Sequence, residues 1–243
     1  MVAPLSALLL HGVGSSSGTW WRVREDLADL GWETQALDLA GHGDRPVPAR
    51  GLRDVADLAE DVWDRVAGSR FDVVVGHSLG AVVALALVAA HPGLAGQVVV
   101  VDPPAVGGVL TVDQVADDLA ARSAAARTDP DAVAAAVAAA NPRWSSVDAR
   151  DVAANAARLD PAVLAWLRRQ HWDLPALVVD CPVPVGLVVA DGPDSTLVEP
   201  ARSAVLAGLE PARVVPVRAG HGLHRDRPAL FLKALLDLTA ART

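Results

Sequence analysis

The pentapeptide Gly76-His77-Ser78-Leu79-Gly80 carries the clearest chemical signal in the chain, because it joins an apolar run at 71–75 to a small-residue apolar run at 81–87. The first run reads as a strand and the second as a helix. Ser78 therefore falls on a sharp strand-to-helix turn, where a serine takes strained backbone angles and points its hydroxyl away from the sheet. Glycines two residues to either side relieve the crowding that results. A bare G-x-S-x-G can arise by chance in a chain with 19 glycines, so the flanking elements give the pattern its meaning.

A serine hydroxyl is a poor nucleophile at neutral pH. It needs a base to take its proton, a carboxylate to hold that base in the right tautomer, and donors for the oxyanion. In an open parallel sheet these groups gather at the C-terminal ends of strands. Among the seven histidines His221 meets the requirement best: it follows an apolar run at 214–217 through Arg218-Ala219-Gly220 and precedes the last predicted helix. His224, three residues on, reads as a surface or helix-capping residue. Three aspartates compete for the carboxylate role: Asp191 at the end of an apolar run at 185–190, Asp194 in the loop after it, and Asp102 at the end of a run at 98–101. Asp191 is favoured because it comes directly off a strand end and is rigidly held there. Asp102 before Pro103 also reads as an ordinary turn aspartate. The backbone N–H of Leu79, at the start of a helix, and that of Val13, in the loop His11-Gly12-Val13-Gly14, are the expected oxyanion donors. His11 and His42 read as structural or pocket-lining residues.

These groups need a frame. Strand-like runs at 5–10, 34–39, 71–75 and 98–101 alternate with helix-like segments at 20–30, 54–67 and 79–90. The strands are continuous apolar runs, so the sheet is expected to be parallel and covered by helices on both faces, an α/β architecture. The rhythm returns late, with strands at 185–189 and 214–217 and a closing helix begun near Pro228. Between them, over about 103–184, Ala-rich helical segments are punctuated by Asp129-Pro130, Asn141-Pro142, Asp160-Pro161 and Leu174-Pro175. Each dipeptide is a helix boundary, and Leu177-Val178-Val179 is the next segment that reads as a strand. The expected organisation is one domain over 1–243, with its core at 1–102 and 185–243 and a helical cap inserted over about 103–184. In that cap Trp144, Trp166 and Trp172 read first as packing residues and second as pocket lining.

Composition narrows the function. With 21 Lys+Arg against 29 Asp+Glu over 243 residues there is no basic footprint for nucleic acid. The chain has no tyrosine, so no tyrosine serves as oxyanion donor or acid, and Cys181 alone excludes an internal disulfide and cysteine metal clusters. The histidines are scattered without H-E-x-x-H spacing, so no metal is expected. Gly12-Val13-Gly14 lacks the third glycine of a dinucleotide loop, since Ser17 stands at that position, so no cofactor is expected. The apolar start at 2–10 has no basic flank or cleavage pattern, and the longest apolar stretch, 79–90, is too short to cross a bilayer. A soluble, cytoplasmic protein that acts on a small molecule is expected, with no membrane partner and no heptad seam to indicate an oligomer.

Taken in order, His11-Gly12 with Trp20, Asp38-Leu39-Ala40-Gly41-His42-Gly43-Asp44, the Gly76 to Gly80 elbow, Val101-Asp102-Pro103, Val189-Ala190-Asp191 and Gly220-His221 resemble the α/β-hydrolase superfamily. The resemblance is to its cofactor-free, esterase-like members and covers nearly all of the chain outside 103–184. It implies Ser78 as nucleophile, His221 as base, Asp191 as acid and the amides of Val13 and Leu79 as oxyanion donors. The sequence departs from the family pattern at Asp191-Gly192-Pro193-Asp194, where a glycine-led loop with its acid three residues on is usual. Relatives that cleave carbon-halogen bonds carry aspartate at the elbow, so Ser78 disfavours that activity. The implied activity is hydrolysis of a small, largely apolar ester, thioester or lactone through an acyl-enzyme. The alternatives are carbon-carbon hydrolysis, lyase or acyl-transfer chemistry on the same triad and, less favoured, non-catalytic binding of a small molecule.

Overall fold

Six apolar runs pair into one sheet in a computed structural model that describes residues 4–104, 111–192, 194–197, 199, 201–210 and 213–240. Val2 and Ala3 of the apolar start, 105–110 of the expected insertion and Pro193 lie outside the described residues. The strands are β1 (Ser6–Leu10), β2 (Glu33–Leu37), β3 (Val73–His77), β4 (Val98–Val101), β5 (Val185–Ala190) and β6 (Val214–Val217). They lie in the order β2-β1-β3-β4-β5-β6, and every pair is parallel.

Both faces of the sheet are covered, which is why its central strands carry no polar alternation. In β1, Leu8 and Leu10 pack with α2 (Val55–Val66) and α3 (Leu79–Ala90), while Ala7 and Leu9 pack against α1 (Trp21–Asp29) and α11 (Pro228–Ala240). The chain steps from β1 outward to β2 and then crosses back to β3 on the other side of β1. Such a reversal leaves a crevice beyond the C-terminal ends of the two strands. Here the crevice lies between the loop after β1 and Ser78.

Between β4 and β5 the chain forms α4 (Val112–Thr128), α5 (Pro130–Ala140), α6 (Ser146–Arg158), α7 (Pro161–Leu167) and α8 (Leu174–Val179). The proline dipeptides mark helix boundaries, three of them at starts. Asp129, Asp160 and Asp173 each cap a helix N-terminus with a side-chain oxygen, and proline fills a first-turn position in α5, α7 and α8. Asn141 closes α5. Leu177-Val178-Val179, expected as a strand, is the end of α8. Its cap at Asp173 nucleates a helix, and burial falls on Leu174 and Val178, a four-residue spacing that belongs to a helix and not to a strand. Two further helices, α9 (Ala201–Ala207) and the short α10 (Leu223–Asp226), flank β6 and lead into α11. Among the described residues no helix is long and apolar enough to cross a membrane.

Candidate active site

Ser78 occupies the turn between β3 and α3 with φ 52° and ψ −121°, a left-handed conformation that is strained for a serine. The flanking glycines make the turn possible by close approach. A Cβ on Gly76 would collide with the backbone of Gly80, and one on Gly80 would lie 2.5 Å from His11 O. A Cβ on Gly12 would sit 3.0 Å from the Ser78 Cβ, so the loop after β1 meets the elbow only because that position is bare. Leu79 begins α3, where backbone N–H groups have no intrahelical acceptor, and Val13 sits in the facing loop.

His221 follows β6, and its Nδ1–H donates to Asp102 Oδ2 at 2.7 Å. A carboxylate on Nδ1 leaves Nε2 with its lone pair, the tautomer a base requires. Asp191, the favoured aspartate, does not make this contact. Its backbone N–H continues the ladder to Val217 O at 2.9 Å and its side chain is exposed, so the strand end that was to hold the carboxylate instead directs it to solvent. Asp194 accepts the backbone N–H of His221 at 3.1 Å, bracing the loop without touching the ring nitrogens.

Asp102 is fully buried and is itself at positive φ, 40°, which turns its side chain off the end of β4 toward His221. Its Oδ1 accepts the Ser195 hydroxyl at 2.7 Å and the Ala190 N–H at 3.2 Å, and its Oδ2 accepts the Thr196 N–H at 3.0 Å. Burial opposes ionisation, but the bond and charge of His221, with the Thr196 and Ser195 donors, outweigh it and hold the carboxyl below its ordinary value. Ser195 and Thr196 were missed in the sequence. Two hydroxyl residues following Asp194, at the end of a strand beside β4, were the only signal for them.

His77 adds a second brace. Its Nε2–H donates to the His221 carbonyl at 2.9 Å, and the two rings lie 4.6 Å apart. Burial, followed by the charge of His221, pushes its pKa down to about 3, so it stays neutral. His11 is buried with both nitrogens engaged, Nδ1 on Gly12 O at 2.8 Å and Nε2 on the Leu39 N–H at 2.9 Å, and it is structural, as expected. His224 is not a surface residue. It is 3% exposed, stacks on Trp20 at 4.6 Å, and its Nε2 lies 2.6 Å from the Thr19 hydroxyl.

Ser78, His221, Val13 and Leu79 open onto one cavity of about 650 Å³. Its far walls come from the segment between β4 and β5, through Val115, Leu119, Val137 and Val152 on helices and Trp144 and Trp172 in the connections between them. Trp166 is fully buried and serves packing alone. The helices are tied to the strand-bearing part of the chain by tryptophan indoles: Trp172 Nε1 donates to Pro104 O at 2.9 Å, and Trp21 Nε1 to Asp148 at 3.0 Å. Trp144 Nε1 donates to Asp226 at 3.2 Å, and the same carboxylate accepts the Gly220 N–H at 2.7 Å, so one aspartate grips both α6's approach and the His221 loop. No group of three or more metal-ligating side chains occurs among the described residues.

A parallel sheet with a serine elbow after its third strand, and a histidine after its last, defines the α/β hydrolases. The chain belongs to the Alpha/beta hydrolase family, whose pattern it matches over residues 7–234. It is similar to the probable lysophospholipase BODYGUARD 2 of Arabidopsis thaliana, 32% identical over an alignment of 107 residues that covers 41% of this chain and 22% of that protein's length. Among solved structures, E-2-(acetamidomethylene)succinate hydrolase matches with a TM-score of 0.75 and 25% identity, over 98% of this chain and 91% of that one. The esterase RhEst1 from Rhodococcus sp. matches with a TM-score of 0.76 and 22% identity, over 99% and 92%.

Proposed function

We propose that the protein is a serine hydrolase that cleaves a small, largely apolar carboxylic ester, thioester or lactone through an acyl-enzyme on Ser78. In this reading His221 Nε2 takes the Ser78 proton, Asp102 stabilises the imidazolium that forms, and the N–H groups of Val13 and Leu79 receive the oxyanion. The helices between β4 and β5 act as a cap whose side chains select the acyl group. The observation that carries the reading is the 2.7 Å contact of His221 Nδ1 with the buried Asp102 carboxylate, beside a strained serine on the same cavity. The mostly apolar wall supports an apolar substrate, and relatives that include an esterase and a probable lysophospholipase support ester chemistry.

Intact-protein and peptide mass spectrometry after treatment with a fluorophosphonate tests it. One adduct, on Ser78, is expected; an adduct elsewhere or none overturns the reading. A screen of esters, thioesters and lactones beside a β-diketone, a cyanohydrin and an acyl-CoA then assigns the reaction, with the ester-type substrates expected to be fastest.

A further inference from the structure

Val13 sits between two glycines, Gly12 and Gly14, and its backbone N–H meets no acceptor among the described residues. A peptide flanked by residues without a Cβ has few steric restraints of its own. Its direction must therefore come from anchors on either side. On the elbow side Gly12 packs against the Ser78 Cβ, and the turn is closed by the Ser15 N–H, which donates to Gly12 O at 3.2 Å, with Gly14 at φ 72°.

The other anchor is Ser16, and its partner belongs to α6. Ser16 Oγ accepts the Asn155 Nδ2–H at 2.9 Å and the Gly18 N–H at 3.1 Å, and its hydroxyl faces Asp151 Oδ1 at 3.5 Å. Ser16 is 6% exposed and Asn155 1%, so the bond between them is shielded from water. The amide also has its direction set: Asn155 Oδ1 accepts from Arg158 Nη2 at 3.4 Å, which leaves Nδ2 for Ser16.

The loop and the helices over it meet without room to spare. A Cβ on Gly14 would lie 2.5 Å from Leu119 of α4, and one on Gly18 would lie 2.6 Å from Asp151 Oδ1. Asp151 and Asn155 stand one helical turn apart and share a face of α6. Asp151 pairs with Arg225, just after His221, at 2.8 Å. One face of α6 thus touches both the segment that follows Val13 and the segment that follows His221. Burying an amide and a carboxylate there costs desolvation that apolar side chains would avoid, and what the polar groups supply in return is register.

We infer that Asn155 is a positioning residue for the reaction: through Ser16 it fixes the peptide that carries the Val13 N–H, so that α6 completes the oxyanion side of the site. The inference rests on the serine-hydrolase reading with Val13 as a donor. In the step it serves, Ser78 Oγ bonds to the carbonyl carbon, its proton passes to His221 Nε2, and the carbonyl oxygen takes up the π-bond pair as an oxyanion facing Val13 and Leu79. A Val13 N–H turned out of line still admits substrate but fails to meet that charge. The loss therefore falls on kcat and not on KM.

The test is made on Ser16→Ala, Asn155→Leu and the double variant, using turnover of p-nitrophenyl butyrate and inhibition by a trifluoromethyl ketone, whose adduct with Ser78 carries the same oxyanion. Each single change should lower kcat by about tenfold, short of the ~100-fold that outright loss of an oxyanion donor costs, with KM held within about twofold. Affinity for the ketone should weaken by the same factor as kcat/KM. The double variant should fall no further than about twofold below Ser16→Ala, because both changes break one bond. Trp21→Phe loses a different tie to α6, the bond to Asp148, and should keep kcat within about twofold. Ser16→Ala removes a single oxygen and guards against a variant that fails to fold. Losses that multiply in the double variant, a loss carried by KM, or an equal loss in Trp21→Phe overturns the positioning role. Normal turnover by the variants, in a protein whose Ser78 takes a fluorophosphonate, overturns that role alone. Absence of the label on the unmodified protein removes the serine-hydrolase reading and the positioning role with it.

Discussion

His77 Nε2 lies 2.9 Å from the carbonyl oxygen of His221, so the residue immediately before Ser78 holds the backbone of the histidine that Asp102 orients. Elbow and base loop are thereby joined by one hydrogen bond across 144 positions of sequence. Replacing His77 with Phe should keep the ring packing and lose the bond. Turnover of an activated ester is expected to fall by about tenfold, the equivalent of a ~1.4 kcal/mol interaction, with KM little changed, while His77→Gln recovers part of it. Steady-state kinetics on the three proteins checks this, and an equal rise in KM would argue for a binding role instead.

The aspartates separate cleanly. Asp102→Asn removes the charge that stabilises the His221 imidazolium and lets the ring adopt the wrong tautomer, so kcat should fall by about 10⁴-fold. Asp191→Asn, at an exposed side chain, should change it by less than about twofold. Asp194→Asn loses a brace on the His221 backbone and should fall between them. Comparing kcat for the three variants decides the assignment.

The chain pointed to Asp191 for the carboxylate, whereas the contact with the His221 ring comes from Asp102, and the difference has a definite reason. Asp102 and Asp191 each follow the end of a strand, and spacing along the chain does not say which strand lies beside β3. With β4 between β3 and β5, a carboxylate on β4 is one strand nearer to Ser78. The positive φ of Asp102 and the hydroxyls of Ser195 and Thr196, which turn back from the β5 loop, are set by tertiary contacts that no local pattern encodes. By contrast, the strands, the elbow glycines and the place of His221 after the last strand were legible because each rests on local sterics or on unbroken apolar character. The Leu177-Val178-Val179 segment misled through its branched side chains, whose strand preference the Asp173 cap and Pro175 overrode.

Acid should destabilise the fold before it touches the carboxylates. Burial pushes His11 and His77 down to about 3 and His42 down to about 4, whereas the unfolded chain binds these protons near the ordinary histidine value of about 6.5. The unfolded state thus holds more protons below that point, and stability is whole above about pH 6.5 and lost as pH falls toward 3–4. Asp102, held below its usual value, adds stability above the ordinary carboxylate pKa that is lost further down, as pH falls through its folded value. Thermal unfolding from pH 7 to 4 should show a falling Tm, and His42→Gln, which keeps a donor for Ala40 O, should flatten the slope.

Glycine substitutions should divide by contact. Gly80→Ala drives a methyl group into the backbone oxygens of Leu10 and His11, neither of which can move without unseating β1. A loss of at least ~3 kcal/mol is expected, on the order of 6–12 °C in Tm. Gly93→Ala, where nothing lies within 4 Å, should leave Tm within a degree or so. Differential scanning fluorimetry on both variants is sufficient.

The position of the inserted helices along the chain has a consequence for how such a protein can change. Asp102 lies only ten residues before α4 begins at Val112, and β5 resumes at Val185, so the far walls of the cavity come largely from one continuous stretch of chain. A replacement of that stretch would exchange the far walls of the cavity wholesale and leave Ser78, His221 and Asp102 untouched. Two of the contacts an incoming segment would have to reproduce are an indole for Asp226 and a carboxylate for Arg225, which fasten the inserted helices to α10 just after His221. Transplants that keep those two fastenings are the ones this scaffold should accept.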